Sequence, residues 1–481
     1  MNSAIKGLKP ERVWSYFQEI SKIPRESGNE EGMRQYLLAF AKQHSLKAVT
    51  DTVGNVIIRK PASKGFENRP SVALQGHMDM VCVKTKESKH NFLTDPIDLV
   101  LSGDYLHAKD TTLGGDNGIA IAIALDILSD DTAEHGPLEG IFTVSEETGL
   151  TGAFGIQKEH INSRLMLNLD SEEEGVLYIG CAGGIEVDVQ FSVKQETIPA
   201  GYLAFSLSSS GMLGGHSGGE IHKQRANAIK ILARALVAIP TKMLISAEGG
   251  TKRNVIPSSC SFSFAVPEAD KSKVEAIVEE TAKALSIEYA ISDPDITLEL
   301  TPIVTPAKAA NAKQSEDFVR SLYIAPHGVD AMSLTIPGIV ETSSNLAIIR
   351  FANDSFTVIS SHRSSVLSAR DDIAHRLGEA FCSCGAKVTY EGAYPSWTPN
   401  PASKLTAFCA KAYEEYTNTK PVITAIHAGL ECGIINSLVP GMDSVSFGPN
   451  MYDVHSVKEK ISVSSVERIY GFTRHLLSMI K

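Results

Sequence analysis

The run Val72-Ala73-Leu74-Gln75 is apolar and partly β-branched, and it ends in Gly76-His77-Met78-Asp79. Such a run reads as a buried strand. Residues two apart at a strand end point the same way, so His77 and Asp79 can meet. The arrangement recurs twice. Gly140–Val144 runs into Ser145-Glu146-Glu147-Thr148-Gly149, and Leu165–Leu169 runs into Asp170-Ser171-Glu172-Glu173-Glu174. Before them, the Gly-rich turn Leu113-Gly114-Gly115-Asp116-Asn117-Gly118 opens a strongly apolar helical stretch, Ile119–Leu128. Strands alternating with helices predict an α/β layer with a mainly parallel sheet. Polar residues just past the carboxyl ends of strands stand where open α/β sheets bind ligands.

Upstream, Pro10–Leu46 reads as two amphipathic helices separated by Ile23-Pro24-Arg25-Glu26-Ser27-Gly28-Asn29. Strands follow near Lys47–Thr50 and Asn55–Ile58. The stretch between Val81 and Lys109 reads as turn-rich. From about Ile185 the style changes to antiparallel-type alternation, in Glu186–Val193, Leu203–Leu207 and Asn254–Ala265, with helices over Ala226–Ile239 and Ser272–Leu285. Ser343–Tyr390 repeats that order of elements. After Tyr394-Pro395-Ser396-Trp397-Thr398-Pro399 the α/β style resumes, with a helix over Leu405–Thr417, a strand over Val422–Ile426, a short helix over Gly433–Ser437, a strand over Ser444–Phe447 and a last helix from Ser464. The expected organisation is one discontinuous domain, residues 1–186 and 396–481, interrupted by an inserted α+β domain at 187–395 whose repeated element order suggests two related halves.

A length of 481 residues is enough for two to three domains. The net charge of −11 argues against nucleic acid as a partner, since such binders present a basic face. Seven scattered cysteines suit reduced thiols better than a disulfide framework, and Cys382-x-Cys384 lacks the second pair of a thiolate metal site. No secretory h-region opens the sequence and no apolar run is long enough to span a membrane, so no membrane partner is expected and the cytoplasm is the default location.

Collected at strand ends and Gly-rich turns are His77 with Asp79, Asp116, Glu146-Glu147, Asp170 and, in Gly448-Pro449-Asn450-Met451-Tyr452-Asp453-Val454-His455, His455. Two imidazoles and several carboxylates suit zinc, manganese or cobalt with no thiolate. Five protein ligands suffice for two divalent ions if Asp116 bridges, with His77 and Asp170 on one ion and Glu147 and His455 on the other. Adjacent Glu146 and Glu147 repel each other unless a cation holds one, which leaves Glu146 as a general base toward a water shared by the two ions.

Gly76-His77-Met78-Asp79-Met80-Val81, Leu113–Gly118, Ser145–Gly149 and Gly214-Gly215-His216-Ser217-Gly218 stand in the order seen in the dinuclear-zinc peptidases that include carboxypeptidase G, aminotripeptidase and the dipeptidases. The chain resembles that family along essentially its whole length. Ile20-Ser21-Lys22-Ile23-Pro24-Arg25 with Ser27-Gly28-Asn29-Glu30, the segment Asp51-x-Val53-Gly54-Asn55 and the large insert fit its aminoacyl-histidine dipeptidase branch. The resemblance implies a zinc-peptidase catalytic domain whose insert is a lid. It implies His77, Asp116, Glu147, Asp170 and His455 as metal ligands, Asp79 as the residue orienting His77, Glu146 as the base, and a cis Asp116–Asn117 peptide. His216 would polarise the scissile carbonyl, and Asn254 and Arg363 would hold the substrate backbone and carboxylate. His427-Ala428-Gly429-Leu430-Glu431 departs from the loop of other branches, so His427 and Glu431 are candidates either for shaping specificity or for helix-capping and packing roles.

The expected function is a cytoplasmic, homodimeric dipeptidase acting on small peptides with free termini, Xaa-His and carnosine-like dipeptides among them. It would carry two divalent ions, Zn2+ ahead of Mn2+ or Co2+. A tripeptidase or N-acyl-amino-acid deacylase with the same centre is the nearest alternative, and a non-catalytic metal-binding relative a more distant one.

Overall fold

The computed structural model describes residues 5–352, 354–382 and 384–481. The chain forms two compact units. The first comprises the chain up to Gly180 with Pro399–Ala425 and Leu430–Lys481, and the second comprises Cys181–Thr398 with Ile426–Gly429.

The first unit is built on an eight-stranded sheet of β1 (Lys47–Thr50), β2 (Val56–Lys60), β3 (Val72–His77), β4 (Leu138–Thr143), β5 (Leu165–Asn168), β6 (Val176–Cys181), β7 (Val422–Ile426) and β8 (Asp443–Ser446). Their spatial order is β1-β2-β4-β3-β5-β8-β6-β7. The four central strands, β4, β3, β5 and β8, run parallel. β1 and β2 on one side and β6 on the other pair antiparallel. Every residue of β3 and β4 is buried, as a strand covered on both faces requires.

Helix α1 (Glu11–Ile20) buries Val13, Trp14, Phe17 and Ile20 at helical spacing. Helix α2 (Glu31–Gln43) buries Met33, Leu37, Phe40 and Ala41. Helix α3 (Gly115–Ser129) is apolar on every side from Ile119 to Leu125, because it packs between α1 and β3. Its first residues are not helical: Asp116 and Asn117 leave helical φ/ψ, and Gly114 before them has φ +69. The stretch read as turn-rich holds a hairpin, Leu99–Ser102 with Tyr105–Ala108, which pairs with Lys460–Ser462. Its strands are too short and mixed to show a period.

The second unit carries a nine-stranded antiparallel sheet. In space it runs Thr297–Ile303, Tyr202–Ser210, Cys260–Pro267, Met243–Gly249, Val340–Ala352, Ser355–Ser364, Gly183–Ser192 and Lys387–Tyr394, with Gly328–Met332 also on Val340–Ala352. The stretch Asn254–Ala265, read as one strand, breaks at Pro257 into Val255–Ile256 and Cys260–Pro267. Helix Ala312–Ile324 and strands Met243–Gly249 and Thr297–Ile303 were not legible in the sequence. Helices Ala228–Ala238, Lys271–Glu288, Ala312–Ile324 and Leu367–Cys382 supply the unit's second layer, around a core containing stacked Phe318, Phe356 and Phe351.

Among the described residues no cysteine is in a disulfide, and no helix is long and apolar enough to cross a membrane.

Candidate metal centre

Three of the parallel strands deliver a group at their carboxyl ends. β3 ends at His77, which is 1% exposed, β4 leads into Glu146-Glu147, and β5 leads to Asp170. The fourth, β8, leads through Gly448 to the loop that holds His455, and Asp116 enters from the first turn of α3. They converge. His77 Nε2 lies 3.0 Å from Asp116 Oδ1 and 3.4 Å from Asp170 Oδ1. His455 Nε2 lies 3.1 Å from Asp116 Oδ2 and 3.0 Å from Glu147 Oε1. The two oxygens of Asp116 therefore face two different imidazoles, each with a second carboxylate. In the sets His77/Asp116/Asp170, Asp116/Glu147/His455 and His77/Glu146/Glu147, one ligand atom per residue lies within 4.8 Å of the others.

Asp79 organises this cluster. Its Oδ1 receives His77 Nδ1 at 3.2 Å and the Glu146 N–H at 3.0 Å, and its Oδ2 receives the Glu147 N–H at 3.2 Å. One buried carboxylate thus sets the His77 tautomer, leaving Nε2 as an acceptor, and fixes the turn bearing both glutamates. Gly76 is needed for a steric reason: a Cβ there would come within 2.3 Å of Asn117 Oδ1, which accepts the His77 N–H. The Asp116–Asn117 peptide is cis. Glu459, 3% exposed, accepts the backbone N–H groups of Leu113, Gly114 and Gly115 at 2.7, 3.1 and 2.8 Å, holding the turn that presents Asp116.

The charges have one sign in excess. Burial pushes the Asp170 carboxyl up to about 7 against the pull of His77. Burial and then the Asp116 charge push Glu172 up to about 7. Glu146 is raised well above the carboxylate range by burial and by the charges of Asp170 and Glu147. Asp116 moves the other way: burial opposes ionisation, but hydrogen bonds with His455 and His77 hold it well below its ordinary value. Hydrogen bonds to Asp116 and Glu147 in turn push His455 up to about 11. Crowded carboxylates with two imidazoles and no thiolate are a donor set for divalent cations such as zinc, manganese or cobalt, and a cation relieves their repulsion. The residues fit the group.

Residues 73–479 match peptidase family M20/M25/M40. The chain belongs to that family. It is 38% identical over 482 residues to the cytosol non-specific dipeptidase of Escherichia coli (strain K12), with 99% of each chain covered. The crystal structure of aminoacylhistidine dipeptidase from Vibrio alginolyticus matches with a TM-score of 0.91 at 36% identity, covering 100% of this chain and 99% of that one. Aminopeptidase PepT from Bacillus cereus shares the fold, with a TM-score of 0.58 at 16% identity over 98% of this chain and 99% of that one. Members of this family are metal-dependent hydrolases, and the donor set above is a candidate metal site in this chain.

The other candidates, His216, Asn254, Arg363 and His427, lie in the second unit and gather there. The short strand Gly215–His216 pairs with Val255–Ile256, and the Asn254 carbonyl accepts the Ser217 N–H at 2.9 Å. His216 Nδ1 accepts the Gly219 N–H at 3.0 Å. The neighbouring Gly218 needs its bareness, because a Cβ would come within 2.6 Å of the His427 carbonyl. Arg363 lies opposite Ser343 across its strand pair, and Ser343 Oγ is 2.7 Å from His427 Nε2. Burial and then the Arg363 charge lower the His427 imidazole to about 3, so it is neutral. Arg363 donates to the Tyr394 hydroxyl at 2.7 Å.

Of the two roles open to Glu431, the structure shows packing. It is 0% exposed in the first unit, and its Oε2 accepts Gln75 Nε2 at 2.5 Å and Thr143 Oγ1 at 2.6 Å. Gln75 in turn accepts Asn168 Nδ2. Glu431 therefore ties β3, β4 and β5 together beneath the centre. Its pKa rises from an ordinary 4.5 to about 7, burial being the main cause. The folded protein keeps this proton at pH values where the unfolded chain has released it, so stability present below 4.5 is lost as pH rises toward 7. In metal-stripped protein, Glu431→Gln is expected to raise the melting temperature by a few degrees at about pH 8 and to leave it nearly unchanged at about pH 4.5. Melts at the two pH values check this, and an equal shift at both would refute it.

Proposed function

We propose that this chain is a metal-dependent dipeptidase that hydrolyses dipeptides with free termini, Xaa-His dipeptides among them. The single observation that carries this reading is the bridging placement of Asp116, one oxygen toward His77 and Asp170 and the other toward His455 and Glu147. The names of the two full-length relatives, one a non-specific dipeptidase and one an aminoacylhistidine dipeptidase, support the substrate class.

In this reading His77, Asp116 and Asp170 hold one divalent ion, and Asp116, Glu147 and His455 hold the other, most simply zinc. Bound there, the ions supply Lewis-acid polarisation of the peptide carbonyl and acidify the attacking water. Glu146 takes the proton from that water and passes it to the leaving amine. Its backbone N–H is tied to Asp79, so the turn that presents it is fixed by the same residue that orients His77. The second unit acts as the lid. His216 supplies a donor to the carbonyl oxygen, Asn254 and Arg363 hold the substrate backbone and carboxylate, and neutral His427 contributes to recognition of the second residue. A bidentate guanidinium suits the free carboxylate of a peptide substrate.

The same reading makes the enzyme cytoplasmic and homodimeric. Supports are the lack of disulfides among the described cysteines, the name of the Escherichia coli relative, and the sheet edge at Thr297–Ile303 beside exposed Ile291 and Val304. Purified protein assayed against carnosine, Gly-Leu-type dipeptides, tripeptides and N-acyl amino acids is expected to turn over dipeptides fastest. Stripping with a chelator should abolish activity, and zinc should restore it. Tripeptide or N-acyl turnover without dipeptide turnover would replace this reading with the alternative.

A further inference from the structure

The segment between α1 and α2 lies outside residues 73–479, the part of the chain matched by the family, yet its side chains reach three of the loops that carry the centre. Arg25, 3% exposed, donates Nη1 to the carbonyls of Met78 (3.1 Å) and Asp79 (2.7 Å) and Nη2 to that of Gly114. One guanidinium therefore joins the exit of the His77 strand to the turn that presents Asp116. That turn is shaped around it: a Cβ on Gly114 would come within 2.3 Å of Arg25 Nη2, and one on Gly118 within 2.8 Å. Ser27 Oγ donates to Asp79 Oδ2 at 2.7 Å, the oxygen that also receives the Glu147 N–H. Glu30 Oε1 accepts the Ser145 N–H at 3.0 Å and the Ser145 hydroxyl at 2.8 Å. Ser145 stands at φ +48, a left-handed conformation unfavourable for a residue with a Cβ, immediately before Glu146 and Glu147. Glu30 is itself held through the Gly28 N–H at 2.9 Å, and the Met80 N–H bonds the Arg25 carbonyl at 3.1 Å.

We propose that Arg25, Ser27 and Glu30 form a positioning bracket that sets the spacing between the His77 strand, the Asp116 turn and the Glu146-Glu147 turn, and so governs both metal affinity and the placement of the base. The proposal rests on the metallopeptidase reading above. Arg25 acts on the metal ligands through main-chain carbonyls, where a planar fork reaches several acceptors and a single ammonium does not. Ser27 acts through Asp79, and Glu30 acts through the strained Ser145.

The test compares R25M, R25K, S27A, E30A and E30Q with wild type for zinc affinity, read by competition with a chromophoric chelator, and for kcat and KM on a dipeptide. E139Q is the control, since Glu139 is an equally buried acceptor of backbone N–H groups (Asn162, Ser163) at the opposite end of β4. Groups that orient metal ligands typically affect affinity or activity about 10–100-fold, so R25M and S27A are expected to weaken zinc binding in that range. R25K should not restore it. E30A should lower kcat by about tenfold or more with KM little changed, and E30Q should recover most of the loss because its amide oxygen accepts the same two bonds. E139Q should lower the melting temperature without moving zinc affinity or kcat. If R25M fails to fold, S27A and the E30A/E30Q pair decide. Wild-type protein that binds zinc while S27A and E30A match it in affinity and kcat overturns the bracket alone. Wild-type protein that binds no zinc overturns the metal reading and the bracket with it.

Discussion

Replacing Glu146 with glutamine is expected to cut kcat by about 10²–10⁴-fold, the range general-base catalysis supplies, while zinc stays near the wild-type two per chain. The expectation follows from how the residue is held. Its backbone N–H is fixed on Asp79 Oδ1 at 3.0 Å, and Glu147 is fixed on the other oxygen of the same carboxylate, so the turn does not depend on the Glu146 side chain. Glutamine keeps the shape and an acceptor oxygen but cannot take a proton from water. Metal content by mass spectrometry and steady-state kinetics on one dipeptide separate the two effects. Substantial retained activity would remove Glu146 from the role of base, and loss of metal together with activity would recast it as a ligand in the His77/Glu146/Glu147 set.

Asp116→Asn is expected to empty both metal positions at once. Each oxygen of Asp116 faces its own imidazole, at 3.0 Å and 3.1 Å, and an amide offers one oxygen in place of two anionic ones. The loss in affinity should exceed the about 10–100-fold typical of disturbing a group that only orients a ligand. Asp170→Asn and His455→Ala provide the contrast, since each should weaken one position and leave the other. Metal counted per chain after dialysis distinguishes these cases. One ion retained by Asp116→Asn would make Asp116 a ligand to a single ion and remove the bridge.

The motif residues themselves were legible because they follow features that are local in sequence. A buried strand announces itself by an apolar run, and a group at its carboxyl end needs only the next few residues to be recognised. His77, Asp79, Glu146, Glu147 and Asp170 all have that signature, and the structure brings them together with Asp116 and His455. Strands without such a run were missed, among them Leu99–Ser102 and Thr297–Ile303, whose faces are largely exposed. Glu431 was left open between specificity and packing for a related reason. Its neighbours in sequence suggest a loop, and only the packing of β3 and β4 over it shows a buried acceptor.

Taken alone, the sequence determined the α/β character of the first unit, the identity of its polar strand ends and the N/O character of the donor set, because periodicity and residue chemistry are properties of short stretches. Tertiary structure alone decided the strand order β1-β2-β4-β3-β5-β8-β6-β7, the two-sided placement of Asp116, and the partners of Arg25, Ser27 and Glu30. Those contacts join residues far apart in the chain, Ser27 to Asp79 across 52 positions and His455 to Asp116 across 339. No local propensity encodes such pairings. They follow from parallel strands placing their carboxyl ends on one edge of a sheet, where a short hydroxyl or a guanidinium from the α1–α2 segment can reach several loops at once.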